Sequence, residues 1–134
     1  MNDIACPCCS GWPYADCCGP WHAGDCAPTA EALMRSRFCA FARRDAAYLI
    51  RTSDPRARAR LRARDFQASF THTWTRLEIV ATAAGGPGDA TGVVHFRAHY
   101  RAGGRDEVHE ETSRFTRSGG EWVYLDGKGS IAQP

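Results

Sequence analysis

The apolar residues of this chain change their repeat partway along. From Ala30 to Arg43 they follow helical spacing, with Leu33, Met34, Phe38 and Phe41 on one stripe. Thr29 precedes that run as the N-cap, and Glu31 in the first turn suits the positive end of a helix. The stripe continues to Tyr48 in a second, shorter helix over about Asp45 to Arg51. Thr52-Ser53-Asp54-Pro55 ends it, and Pro55 fits the first turn of a third helix running through Arg64 to about Ser69, with Leu61 and Phe66 inward. Beyond that point the period becomes two. Strands are expected at about Thr75 to Ala84, Thr91 to Arg101, Asp106 to Arg117 and Glu121 to Asp126, separated by glycine-rich turns. Leu77, Ile79 and Ala81 share one face of the first strand. Val94, Phe96, Ala98 and Tyr100 share one face of the second, with Val93, His95, Arg97 and His99 opposite and toward solvent. Alternation this clean predicts an antiparallel sheet with one wet face. Three helices followed by four hairpin-linked strands make an α+β fold in which the sheet curls around the long first helix. The tail from Gly127 to Pro134 is expected to be loose.

At 134 residues the chain is one domain plus an appendage. No apolar run approaches the ~20 residues a membrane helix needs. Charge is unevenly spread. Residues 1–29 carry three Asp and no Lys or Arg, whereas residues 30–64 carry ten Arg against three acids. An acidic amino-terminal segment therefore adjoins a basic helical one, and the two are expected to attract and dock. Arg56, Arg58, Arg60, Arg62 and Arg64 alternate, so at helical pitch they spread around the third helix as a solvated surface. Arg37 is different, because it lies inside the apolar stripe. A buried arginine needs an anionic partner or water, and Glu111 is the natural partner.

Five of the seven cysteines fall between Cys6 and Cys18, in two clusters. Four such sulfurs suit a tetrahedral structural site for Zn²⁺, favoured over an iron–sulfur cluster because the donors are so compressed. Pro7, Ser10-Gly11 and Pro13 allow the intervening loop to turn back. The expected ligands are Cys6, Cys8, Cys17 and Cys18, with Cys9 and His22 as spare donors able to displace one of them. Paired disulfides are the alternative. The odd cysteine count argues against them, as does Met1 to Ala5, which is too short for an apolar leader and carries Asp3. A cytoplasmic location is expected on the same grounds. Cys26 and Cys39 read as free thiols, Cys39 buried and without an activating neighbour.

This cysteine-rich stretch resembles the SEC-C motif, a small zinc-binding segment found at the end of the bacterial preprotein translocase motor. Cys6, Pro7, Cys8, Ser10, Gly11, Tyr14, Cys17 and Cys18 match its pattern. Cys9 departs from it, standing where the motif has glycine. The wider chain resembles the YchJ family through Leu33-Met34-Arg35-Ser36-Arg37-Phe38-Cys39-Ala40-Phe41, Tyr48-Leu49, Thr52, His72-Thr73-Trp74, Glu111, Ser113, Phe115, Trp122, Tyr124, Asp126 and Gly127. That resemblance implies a SEC-C segment over residues 1–28 and a nuclear-transport-factor-2-like domain over 29–134. It also implies a cone with a pocket between sheet and helices.

If the strand faces line such a cone, Glu111 and Ser113 point into it beside Trp122 and Tyr124. Arg37, Phe41, Tyr48, His72 and Trp74 complete the expected lining. A carboxyl in that aromatic setting would have its charged form disfavoured, which suits proton transfer. No nucleophile–base motif and no phosphate loop is visible. The leading expectation is a non-catalytic binding protein, with a zinc segment for a protein partner and a cone for a small-molecule ligand. The alternatives are a cavity enzyme of isomerase or hydrolase type using Glu111, and an RNA- or ribosome-associated protein using Arg56 to Arg64.

Overall fold

A computed structural model describes residues 4–129. Asp3 and the end of the expected loose tail, residues 130–134, lie outside the described residues.

The long first helix forms as its cap predicts. It is α2, Ala30–Arg43, preceded by a short α1 at Gly19–His22. The Thr29 hydroxyl accepts from the Ala32 amide at 3.0 Å, and Arg44 ends the helix in the left-handed conformation. Eight of its residues are buried, on more than one side, because the helix is covered by the sheet on one flank and the amino-terminal arm on the other. α3 follows at Ala46–Arg51, capped by Asp45.

The third expected helix is broken. α4 spans only Pro55–Arg58, a 3-10 turn covers Ala63–Phe66, and α5 spans Gln67–Phe70. Arginines four apart repel along a continuous helix. The Asp65 carboxylate accepts from the Arg62 amide at 2.8 Å, which starts a new turn there. The five arginines consequently share no single helix. Arg58 and Arg62 also turn their guanidinium groups back onto backbone carbonyls.

The sheet is an antiparallel meander of β1 (Thr73–Ala84), β2 (Thr91–Ala102), β3 (Arg105–Ser118) and β4 (Glu121–Gly129). β4 thus runs three residues further than expected, into the segment read as loose. Val94, Phe96, Ala98 and Tyr100 are all buried, so β2 faces the way its alternation predicts. On β1 the alternation is interrupted twice, between Trp74 and Arg76 and between Ile79 and Ala81. Each bulge adds one unpaired residue and bends the strand. The second one turns Ala81 to the outer face beside His95, correcting its expected place with Leu77 and Ile79. A third irregularity lies between Arg114 and Phe115 on the β3–β4 ladder. These bends curl the sheet around α2. The free edge of β4 is partly covered by residues 52–54: the Tyr124 amide donates to the Thr52 carbonyl at 2.8 Å, and the Asp54 amide to the Tyr124 carbonyl at 2.9 Å.

Candidate functional site

The arm brings its sulfurs together. Ala5 pairs with Pro13 in a short antiparallel bridge, and the Cys6 amide donates to the Trp12 carbonyl at 3.0 Å. The Sγ atoms of Cys6, Cys8, Cys17 and Cys18 all lie within 4.8 Å of one another. Cys8 and Cys17 are 3.6 Å apart and Cys17 and Cys18 3.9 Å. Sulfurs at the corners of a tetrahedron with metal bonds of about 2.3 Å would stand roughly 3.8 Å apart. The donor set therefore fits a tetrahedral metal ion.

Crowding also polarises the thiols. Hydrogen bonds from Cys18 and then Cys39 lower Cys8 strongly and Cys6 to about 6, while contacts with Cys39, Cys6 and Cys8 push Cys18 upward. Four neighbouring thiols cannot all ionise without a cation to share their charge. The Ser10 hydroxyl lies 3.1 Å from the Cys17 sulfur, and the Arg35 guanidinium donates to the Cys8 carbonyl at 3.1 Å.

Neither spare donor is placed for ligation. Cys9 adopts φ 64°, its side chain is exposed, and its sulfur leans toward the Pro7 carbonyl. The left-handed position explains why the motif has glycine there. His22 is occupied at both nitrogens, with Nδ1 2.6 Å from the Tyr14 hydroxyl and Nε2 2.8 Å from the Ser36 carbonyl. It staples the arm to α2. Arg43 stacks over the Tyr14 ring at 4.5 Å. The acidic arm and basic helix do dock, and Cys6, Cys8 and Cys18 share one core cluster with Leu33, Met34 and Phe38. Cys26 is exposed. Cys39 is a buried free thiol, as expected, and its sulfur lies 3.3 Å from that of Cys6, a contact the spacing did not predict.

On the other flank of α2 the curled sheet encloses a cavity of about 840 Å³. This lies within the usual range for small-molecule sites. Of the residues expected there, Arg37, Phe41, His72, Trp74, Glu111, Ser113 and Tyr124 line it. Two do not. Tyr48 lies between α2 and α3, its hydroxyl 2.6 Å from the Ser36 hydroxyl and its ring against His22. Helical spacing continued through the Arg44 break misjudged its side. Trp122 shares the inner face with Tyr124 but sits at the closed end, where its indole donates to the Pro28 carbonyl at 3.2 Å and Arg117 covers its ring.

The expected Arg37–Glu111 ion pair does not form. Arg37 donates to the Leu49 carbonyl at 3.0 Å and the Thr52 hydroxyl at 2.7 Å, and burial lowers its pKa to about 10. Tyr124 stands between the two groups. Its ring lies 4.5 Å under the Arg37 guanidinium, and its hydroxyl donates to Glu111 Oε2 at 2.8 Å. Glu111 Oε2 also accepts from Ser113 at 2.6 Å, while Oε1 lies 2.8 Å from His109 Nε2. Burial works to raise this carboxyl, but the hydrogen bonds from His109, Ser113 and Tyr124 outweigh it and hold the group below the ordinary carboxylate value. Glu111 is therefore an ionised, anchored carboxylate and not the raised acid its aromatic setting suggests. Gly127 makes room for it, since a Cβ there would collide with the Glu111 side chain.

His109 is one of the polar lining residues that sequence reasoning missed, with Ser69, Arg105 and Glu107. Strand parity already placed His109 on the face of Glu111, two residues earlier. Tyr100 takes the inner face that alternation predicts and also lines the cavity, its ring stacked 4.5 Å from His72 and tilted 4.8 Å from Trp74. His95 and His99 lie on the outer face, half-exposed, beside Glu110 and Glu78.

The family described as "YchJ, middle NTF2-like domain" matches residues 29–127. A UPF0225 protein of Streptomyces coelicolor is 54% identical over 103 residues, covering 76% of each chain. One from Corynebacterium efficiens is 50% identical over 126 residues, covering 93% of each. Among solved structures, a SEC-C motif containing protein from Rhodopseudomonas palustris superposes with a TM-score of 0.84 at 34% identity, covering 98% of this chain and 100% of the other. A SEC-C motif containing protein from Psychrobacter arcticus gives 0.81 at 27% identity, covering 98% and 86%.

Proposed function

This chain belongs to the YchJ family, and on that premise we propose that it is a zinc-braced binding protein whose cone holds a small, flat, largely apolar ligand. The observation that carries this reading is the position of α2. One flank of the helix supplies Met34, Arg37, Phe38 and Phe41 to the cavity. The other carries Arg35, Ser36 and Cys39 against the sulfur arm. Zinc in the arm, held by Cys6, Cys8, Cys17 and Cys18, would thus fix the back wall of the cone. Thiolate-bound zinc contributes directly to folding.

The test is elemental analysis of the purified protein with a fluorescence titration using anilinonaphthalene sulfonate. One zinc per chain and saturable dye binding that weakens on chelation are expected. Ala98→Trp, which fills the cavity, should abolish the binding. Dye binding indifferent to Ala98→Trp, or protein lacking zinc, sinks the proposal.

The outer side of the arm favours a second role, contact with a protein partner. Ile4 and Trp12 are 72% and 64% exposed there, among the few large apolar side chains so placed. Exposed apolar groups on a rigid, metal-fixed turn are suited to insertion into a partner's pocket. A partner crosslinked through the arm should be lost on Trp12→Ala, and its retention would remove this role. No described helix is long and apolar enough to cross a membrane.

A further inference from the structure

Glu111 has its oxygens committed on every side: His109 at Oε1, and Ser113 and Tyr124 at Oε2. An ionised carboxylate held this way fixes the hydrogen of the adjoining imidazole on Nε2. Nδ1 of His109 then keeps its lone pair, and no described residue donates to it. His109 stands opposite Ala98 on β2, a small residue, and the Phe96 ring of the same strand lies tilted beside the imidazole, 6.2 Å between ring centres. Tyr100 also lines the cavity, and its hydroxyl has no hydrogen-bond partner among the described residues. Its ring continues into His72 and Trp74 as an aromatic wall. A base held by an orienting acid, beside a surface on which a planar molecule can stack, is the arrangement that general-base catalysis requires.

We infer that the cavity is a general-base site in which Nδ1 of His109 removes a proton from a flat aromatic or heteroaromatic C–H acid, with Glu111 as the positioning residue. This rests on the ligand-binding reading of the cone. Ser113 supplies no nucleophile, because it is fully buried and its hydroxyl is given to Glu111. The titratable groups that share the cavity with His109 are Arg37 from α2, His72 ahead of β1, Tyr100 from β2, Arg105, Glu107 and Glu111 from β3, and Tyr124 from β4.

Nitrobenzisoxazole is the probe, since its ring opening needs only a base. His109 takes the proton from the ring carbon beside nitrogen. The released pair completes the nitrile, the N–O bond breaks with its electrons on oxygen, and the product is a cyano-nitrophenolate. The proton then leaves His109 for water, and no oxidant or second reactant is consumed. The wild-type protein is expected to release product about a hundredfold faster than the same concentration of free imidazole. His109→Gln should abolish turnover while leaving the probe's dissociation constant unchanged, and added imidazole should restore part of the rate in His109→Ala. Glu111→Gln should bind the probe, turn it over more slowly and change the pH profile of what remains. A wild-type rate no greater than free imidazole, or a His109→Gln protein that stays active, overturns the inference while ligand binding stands. Absence of saturable probe binding by the wild type overturns both.

Discussion

The sulfur of Cys39, in the middle of α2, lies 3.3 Å from the sulfur of Cys6 in the arm. The two are separated by 33 residues in sequence and are both buried. Cys39 thus contacts the cluster without belonging to the four sulfurs that lie mutually within reach of one ion. Replacing Cys39 by Ser should leave zinc at one per chain and lower stability by about 1 kcal/mol, the scale of a modest core change. Cys6→Ser and Cys18→Ser should instead lose the metal. Elemental analysis and thermal melts of the three variants separate the roles, and zinc loss in Cys39→Ser would make it a ligand.

Cys9 carries a backbone conformation that costs a non-glycine residue roughly 1–2 kcal/mol. Its sulfur is exposed and remote from ligation. Cys9→Gly should therefore raise stability by about 1 kcal/mol with zinc content unchanged. Chemical denaturation of the zinc-loaded protein measures it. A destabilised Cys9→Gly protein would show that the sulfur is needed.

The pieces legible in the sequence were those set by local rules. Period-two alternation placed Val94, Phe96, Ala98 and Tyr100 inward, and Thr29 capped its helix as its side chain predicts. Cysteine spacing brought out the four clustered sulfurs. What escaped depended on partners far along the chain or on a residue out of step. The bulge at Val80 reverses Ala81, and no composition signal marks it. The arginine run broke because Asp65 offered the Arg62 amide a better partner than a continuing helix. His22 looked like a ligand because its value to the fold, a hydrogen bond to Ser36, spans 14 residues. His109 shares the strand parity of Glu111, so its face is legible in the sequence, whereas its hydrogen bond to Oε1 is visible only in the folded chain.

Gly127 stands beside Ser113 on the β3–β4 ladder, and the Glu111 side chain lies across it. Gly127→Ala forces the carboxylate to move, and overpacking of this kind costs about 1–3 kcal/mol. The displaced Glu111 should also lose hydrogen bonds to Ser113 and Tyr124. A melt of Gly127→Ala is expected to show the loss, with Glu111→Ala,Gly127→Ala recovering part of it. Additive losses in the double variant would disconnect the two residues.

Glu111 links the cavity to acid stability. Its folded-state pKa lies below the ordinary value of 4.5, because hydrogen bonds from His109, Ser113 and Tyr124 outweigh burial. A carboxyl depressed in the folded state binds its proton more readily when unfolded. It therefore contributes stability that is fully present above about pH 4.5 and is lost as pH falls through the folded value. Tyr124→Phe removes one donor to a buried charge, a loss of about 1.5–3 kcal/mol near neutral pH. It should also bring the folded pKa back toward the ordinary one, so the acid-side slope becomes shallower. Glu111→Gln should flatten that slope further. Urea melts of the three proteins across the acid range read both effects. An unchanged slope in Glu111→Gln would mean that other carboxylates govern acid unfolding and that the hydrogen bonds do not hold Glu111 below its ordinary value.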